Sequence, residues 1–261
     1  DVICGQCIRA VRQRDIDEFR ALLLVFLECL SNGCFDFAVE PFADRNAFCV
    51  ATMRDLLSLG LTPAQAADVA SNVAGETGWG RGWICGNGGG WKITKPFADA
   101  HKARTGTPAP WWRARGNVDS ADSAWCFYRC FDSRAAFLGA WCEQFVPRPG
   151  TRPGGLYEAT GQAFWSGGDW FAEMILAGYK GRPSKSKMRA IRARGAASSE
   201  HPSVAAHRSM ARDILTRWAQ TLLGVSVDGK LGPRSVAALR AWQTARGIPA
   251  TGTLDAATVA T

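Results

Sequence analysis

A chain of 261 residues in which 47% of side chains are apolar can build one large or two modest domains with proper cores. No apolar run reaches the roughly 20 residues that a membrane span needs, and the stretch Ala21 to Leu30 is both too short and too deep in the chain for a signal peptide, so it reads as a buried helix. Lys and Arg outnumber Asp and Glu 31 to 23, a net charge of +8 that draws the chain to polyanions, but no RNA- or DNA-binding signature accompanies it.

In chain order, residues 8 to 31 read as a helix, because Ile8, Val11, Ile16, Phe19, Leu22, Leu23 and Phe26 recur at three- and four-residue spacing. Asn32-Gly33 stops it. Five of the nine cysteines, Cys4, Cys7, Cys29, Cys34 and Cys49, fall in this first part, and none follows Cys142. Such usage suggests disulfides or buried thiols in a protein that acts outside the cytoplasm. Cys4, Cys7, Cys29 and Cys34 could alternatively form a zinc site. A second helix is expected over about 45 to 59, ending at Gly60.

The next helix announces its start. Thr62-Pro63-Ala64-Gln65 combines a capping box with proline in the first helical position. Ala66, Ala67, Ala70, Val73 and Ala74 then give a small-residue face suited to close helix packing, and the helix runs out at Glu76 before Gly78 and Gly80. Residues 85 to 130, rich in Gly, Pro and Trp, read as loops with a short β-hairpin that ends in a strand over Trp125 to Phe131. Helices are expected near Ser133 to Phe145 and Trp170 to Leu176, and the basic, polar stretch 181 to 203 reads as a linker.

From Val204 the pattern changes. Ile214, Trp218 and Leu222 mark one helix. Pro233 opens a second, with Val236, Leu239 and Trp242 or Gln243 on one face, and Asp255 caps a short third. The run VDGKLGPRSVAALRAWQTARGIPATGTLDAATVA resembles the type 1 peptidoglycan-binding domain, a small three-helix module. That resemblance implies wall targeting.

Splitting a glycosidic bond needs an acid that holds its proton near neutral pH, and usually a second carboxylate. Glu76 is placed for the first role, at a helix C-terminus where the macrodipole disfavours negative charge and with Trp79 and Trp83 following to exclude water. The run Ala74-Gly75-Glu76-Thr77-Gly78-Trp79-Gly80 resembles the E-[ST]-G-W-G signature of the flagellar-muramidase-like glucosaminidases, glycoside hydrolase family 73 of the lysozyme superfamily. Asn87 to Ile93 resembles the family's N-x-x-G-I-K segment, and Phe127 to Ser133 its F-R-x-Y-x-S strand. Gly178-Tyr179 resembles its late G-Y, whose tyrosine lines the cleft. The resemblance spans about residues 60 to 180 and implies a lysozyme-like α domain with a small β-lobe and Glu76 as the acid.

The family takes its second carboxylate from before the F-R-x-Y-x-S strand, usually as Glu; here that zone offers Asp122 and Asp119, with Asp99 a weaker candidate. Each Asp alone reads as a turn residue, and the substrate's own acetamido group could replace them. Aromatic faces stack on sugars, so Trp79, Trp83, Trp91, Trp112 and Tyr128 are the expected substrate-binding residues, whereas Trp141 and Trp170 at helical positions read as core. Among other wall activities, a zinc amidase would have to use His101, His201 and His207, and a cysteine peptidase Cys85 with His101. A third alternative is a wall-binding protein without catalysis.

The expectation is therefore a mainly α protein: a lysozyme-like hydrolase domain over 1–185 whose residues 1–50 form a Cys-rich helical extension, a linker over 186–203, and a peptidoglycan-binding domain over 204–261. It acts as a monomer, without cofactor or metal, on the glycan backbone of peptidoglycan outside the cytoplasm, as an N-acetylglucosaminidase or a muramidase. A phage endolysin, a secreted toxin with an immunity protein as partner, and an autolysin all use this architecture.

Overall fold

The computed structural model describes residues 42–93, 95–107, 109, 111–115, 125–177, 179 and 202–260. The expected helix over 8 to 31, the cysteines Cys4, Cys7, Cys29 and Cys34, nearly all of the expected linker, and both Asp119 and Asp122 lie outside the described residues.

The described chain is mainly helical. Its helices are α1 (Arg45–Ser58), α2 (Pro63–Thr77), α3 (Lys95–Thr105), α4 (Arg134–Phe145), α5 (Glu158–Ser166), α6 (Trp170–Leu176), α7 (Pro202–Leu222), α8 (Pro233–Ala245) and α9 (Ala256–Ala260). Strands β1 (Trp111–Arg115) and β2 (Trp125–Arg129) pair antiparallel, with Trp112 opposite Tyr128. Helix α3 stands where the sequence suggests loops and a short β-hairpin. Its first turn carries no acidic residue, and its apolar content is too low to show a face. Contacts divide the chain into two compact units, one holding 83–132 and the other 41–82 together with 133–261.

In the larger unit α2 is the central element. Ala66, Ala67, Val69, Ala70, Val73 and Ala74 are all buried. The capping box forms as read: Thr62 Oγ1 accepts from the Gln65 amide, and Gln65 Oε1 accepts from the Thr62 amide. Helix α1 packs against α2, and its Phe48, Met53 and Leu56 are fully buried. Helix α7 covers another side with Val204, His207, Ala211 and Ile214. The small side chains of α2 permit this double approach. Helices α5 and α6 pack on each other, and Trp170 meets Trp141 of α4 edge to face at 6.0 Å, so both tryptophans are core.

Two thiols are described in this unit, Cys49 and Cys142, and burial pushes each up to about 12, so both stay protonated and inert. In the smaller unit Cys85 and Cys130 form a disulfide. Cys85 is thus not a free thiol, so it is not the nucleophile of the Cys85–His101 pair considered above.

Candidate functional site

The last turn of α2 is built by its own motif. Thr77 Oγ1 donates to the Val73 carbonyl at 2.7 Å and accepts from the Gly80 amide at 2.8 Å, closing the turn beyond the helix. Gly78 ends the helix in the left-handed conformation, with φ 59°. Trp79 follows at φ 65°, a strained position for a bulky residue. It is held there by packing, edge to face with Phe48 at 5.9 Å and under the Arg45 guanidinium at 4.8 Å. At Gly80 any Cβ would collide with the ring of Phe42. Thr77, Gly78, Trp79 and Gly80 therefore serve the turn, and the residue they leave exposed is Glu76.

Tyr179 reaches Glu76 from more than a hundred residues away. Its hydroxyl lies 2.9 Å from Glu76 Oε1 and 2.9 Å from Asn72 Oδ1. Asn72 sits one helical turn before Glu76 and is only 4% exposed. The sequence reading overlooked it, although i, i+4 spacing from a proposed acid was the available signal. Burial first, and the Glu76 carboxylate second, push the Tyr179 phenol above its ordinary range, so it remains a donor. Phe145 and Phe171 flank its ring at 5.6 and 6.3 Å.

The proton count of this trio is informative. A phenol has one proton, so both 2.9 Å contacts are hydrogen bonds at once only if a second proton is supplied. A protonated Glu76 supplies it by donating to the phenol oxygen. An ionised Glu76 is equally satisfied if the Asn72 amide turns its NH2 toward the phenol and the phenol donates to the carboxylate. The hydrogen-bond geometry of the trio is compatible with either proton arrangement.

In the smaller unit the residues of the N-x-x-G segment build a loop. Asn87 is fully buried and uses its whole side chain. Its Nδ2 donates to the carbonyls of Trp91 and Arg129, and its Oδ1 accepts from the amides of Gly89 and Trp91. Trp83, expected at a cleft, is instead 0% exposed, because Gly88 lets the loop close directly onto its ring. Trp91 packs edge to face on Phe131 at 5.9 Å and lies under the Arg129 guanidinium at 4.1 Å. Burial pulls Arg129 down to about 10, and the rings of Phe97 and Phe131 also cover it. Tyr128 is half-buried, with its backbone bridged to Lys92. Trp112 is placed on β1, but its side chain lies outside the described residues. Asp99 is exposed on α3. His207, one candidate metal ligand, is buried and stacked on Phe171 at 4.0 Å.

The C-terminal module contains an internal repeat that the sequence reading also missed. Gln220-Thr221-x-x-Gly224-Val225 and Gln243-Thr244-x-x-Gly247-Ile248 each lead, at equal spacing, into Gly229-x-Leu231-x-x-x-Ser235-Val236 and Gly252-x-Leu254-x-x-x-Thr258-Val259. The repeated glutamines are buried, 1% and 0% exposed. Gln220 Oε1 accepts from the amides of Asp228 and Gly229, and the two protons of its Nε2 are shared among Asp228 Oδ1, the Lys230 carbonyl and Ser235 Oγ. Gln243 repeats the pattern with the Gly252 amide, Thr251, the Thr253 carbonyl and Thr258. Each glutamine thus ties the loop that follows its helix to the start of the next helix.

The peptidoglycan-binding domain family matches residues 208–261. That match covers the repeat and most of α7, and it associates the chain with the cell wall. No curated protein and no solved structure matches the chain.

Proposed function

We propose that this protein is a peptidoglycan hydrolase that cleaves the glycan backbone with Glu76 as general acid. The observation that carries the reading is the Asn72–Tyr179–Glu76 trio at the exposed end of a buried helix, in a chain that also bears a peptidoglycan-binding domain. The resemblance of the Glu76 motif to the flagellar-muramidase-like glucosaminidases supports the same reading.

In this mechanism Glu76 protonates the leaving glycosidic oxygen, and Tyr179 and Asn72 keep its carboxyl oriented through both protonation states. The oxocarbenium-like centre needs a second group, for which the sequence offers Asp122 or Asp119, or else the substrate's own acetamido group. The module holds the protein on an insoluble substrate and so raises the local concentration of glycan. The Cys85–Cys130 disulfide supports action outside the reducing cytoplasm.

Purified sacculi labelled with dye test the proposal. The wild type should release dye, and Glu76→Gln should release it at least about 100-fold more slowly while binding sacculi equally well. Equal release by the two proteins removes Glu76 from the mechanism. No release by either leaves a wall-binding protein without catalysis. Borohydride reduction of the products then identifies the bond: reduced N-acetylglucosamine ends mean a glucosaminidase, and reduced muramic acid ends a muramidase.

A further inference from the structure

A row of three half-buried aromatic rings leads away from the Glu76 carboxyl. Tyr179, whose hydroxyl touches Glu76, packs edge to face on Phe145 at 5.6 Å, and Phe145 packs edge to face on Tyr157 at 4.9 Å. The two phenols are near enough that a charge on Tyr157 opposes ionisation of Tyr179. Tyr157 lies in none of the sequence motifs around Glu76.

The placing of Tyr157 goes against local helix stability. It is the N-cap of α5, where Ser, Thr, Asp or Asn would bond a free amide of the first turn, and its side chain makes no such bond. The backbone around it is nonetheless firmly held. The Gly154 amide donates to the Glu158 carboxylate at 2.6 Å, and Trp165 Nε1 donates to the Val146 carbonyl at 3.0 Å. Gly161 lets α5 close on the Pro147 carbonyl, which any Cβ there would strike. A held helix start that forgoes its cap fits a side chain kept for another purpose. Among the described residues the Tyr157 hydroxyl makes no hydrogen bond, and it is not sealed from solvent. Burial of the ring pushes the phenol above its ordinary range, so it stays a donor. Beside it Leu156 is 65% exposed. This end of the row thus offers apolar surface and a free donor together, and a saccharide, with carbon faces edged by oxygen acceptors, matches both.

We infer that Tyr157 is a substrate-binding residue, its hydroxyl donating to an oxygen of a glycan sugar next to the bond that Glu76 serves. Phe145 packs against both tyrosines, so a sugar held at Tyr157 sets which glycosidic oxygen meets Glu76. The inference rests on the reading of Glu76 as the acid of a glycan hydrolase and adds a subsite to it. It also revises the expected aromatic set: Trp79 is taken up by packing on Phe48 and Trp83 is enclosed, whereas Tyr157 is still open to a ligand.

The test uses the full-length protein and a soluble, peptide-free glycan hexamer of alternating N-acetylglucosamine and N-acetylmuramic acid. Tyr157→Phe keeps the ring on Phe145 and removes only the hydroxyl, so its thermal midpoint should match the wild type. Its KM for the hexamer should rise about fivefold, the scale of one neutral hydrogen bond, while kcat changes by less than about twofold. A nitrogen-15 titration of Glu76→Gln, which should hold the hexamer uncut, reads binding directly. The amide signals of Leu156 and Tyr157 should shift together with those of Thr77 and Gly78. An unchanged KM in Tyr157→Phe, a loss confined to kcat, or shifts at Thr77 and Gly78 without any at Leu156 and Tyr157 would each overturn the inference. A hexamer that the wild type cuts, with a KM that ignores Tyr157→Phe, sinks this inference alone. A hexamer neither cut by the wild type nor bound by Glu76→Gln sinks the hydrolase reading beneath it as well.

Discussion

The Glu76 corner and the C-terminal repeat both bury polar side chains, but to opposite ends. In the repeat, Gln220 and Gln243 are surrounded by partners from the loops they organise, and their hydrogen-bonding capacity is spent on backbone amides, carbonyls and threonine or serine hydroxyls. At the corner, buried Asn72 touches the half-buried Tyr179 hydroxyl, which in turn touches the exposed Glu76 carboxyl, so the single phenol proton lies between two acceptors. A saturated network fixes a fold. One that can be satisfied in two proton arrangements suits a group that must gain and lose a proton.

Substitutions can break this contrast. The largest effect is expected at Glu76, where the Gln variant should lose at least about 100-fold in turnover with its unfolding midpoint unchanged, since the side chain is exposed and its size is kept. Next comes Gln243→Leu, which strips the Gly252 amide and three threonine groups of their buried partner. It should cost about 2 kcal/mol of stability in urea denaturation and weaken sacculus binding, while cleavage of short soluble fragments persists. If Gln243→Leu is as stable as wild type, the repeat glutamines are not the fasteners described.

A smaller effect sharpens the comparison from the other side. Asn72→Leu is nearly isosteric and removes the Asn72 contact of the Tyr179 hydroxyl while leaving the one to Glu76. Its stability cost should stay below about 1 kcal/mol, yet turnover should fall by about tenfold, because the phenol can no longer switch its proton between two sites. The readout that separates this from a mere packing defect is the pH–rate profile, whose limb due to the catalytic acid should move in Asn72→Leu and be restored in Asn72→Gln. A variant with reduced stability and an unchanged profile would make Asn72 a structural residue only.

Local signals were legible in the sequence, and signals that need a distant partner were not. The capping box Thr62–Gln65 and the N-cap Ser133, whose hydroxyl accepts from the Ala136 amide, are contained within a few residues, and the helices they start lie where the sequence puts them. Helix α5 has no such mark: its N-cap, Tyr157, makes no side-chain capping bond. Glu76 and Tyr179 stood out through their resemblance to family motifs and not through periodicity. Asn72 was invisible because its meaning depends on a phenol far along the chain. Trp83 was misplaced for the same reason, since only the closed loop around Asn87 and Gly88 reveals that its ring is enclosed. The repeat was open to inspection, but its glutamines become conspicuous only once they are seen to be buried.

The smallest predicted effect lies at the seam where α7 meets α2, between the two regions compared. His207 Nε2 is 3.0 Å from the Asp68 carbonyl oxygen, which can only accept, so the neutral imidazole carries its proton on Nε2. Burial pulls His207 down to about 4 from an ordinary 6.5, and burial also pushes the Asp68 carboxyl up to about 6 from 3.8. Asp169 and Arg208 flank both groups, so neither side chain titrates in isolation. The two shifts act in opposite directions. As pH falls from 6.5 toward 4, unfolded chains protonate the histidine before folded ones do, and stability is lost. Over nearly the same window, from 6 to 3.8, folded chains protonate Asp68 first, and stability is gained. Their sum should leave the wild-type seam almost indifferent to pH there. Asp68→Asn keeps an acceptor for the Trp170 indole and removes one term, so this variant should lose stability toward pH 4 more steeply than wild type. His207→Phe keeps a ring against Phe171 and removes the other term, so it should lose stability less steeply or gain it. Urea midpoints measured across this range for the three proteins decide the matter: parallel curves would show that the seam carries no compensating pair, while curves that diverge in opposite directions would locate the pair at α2 and α7.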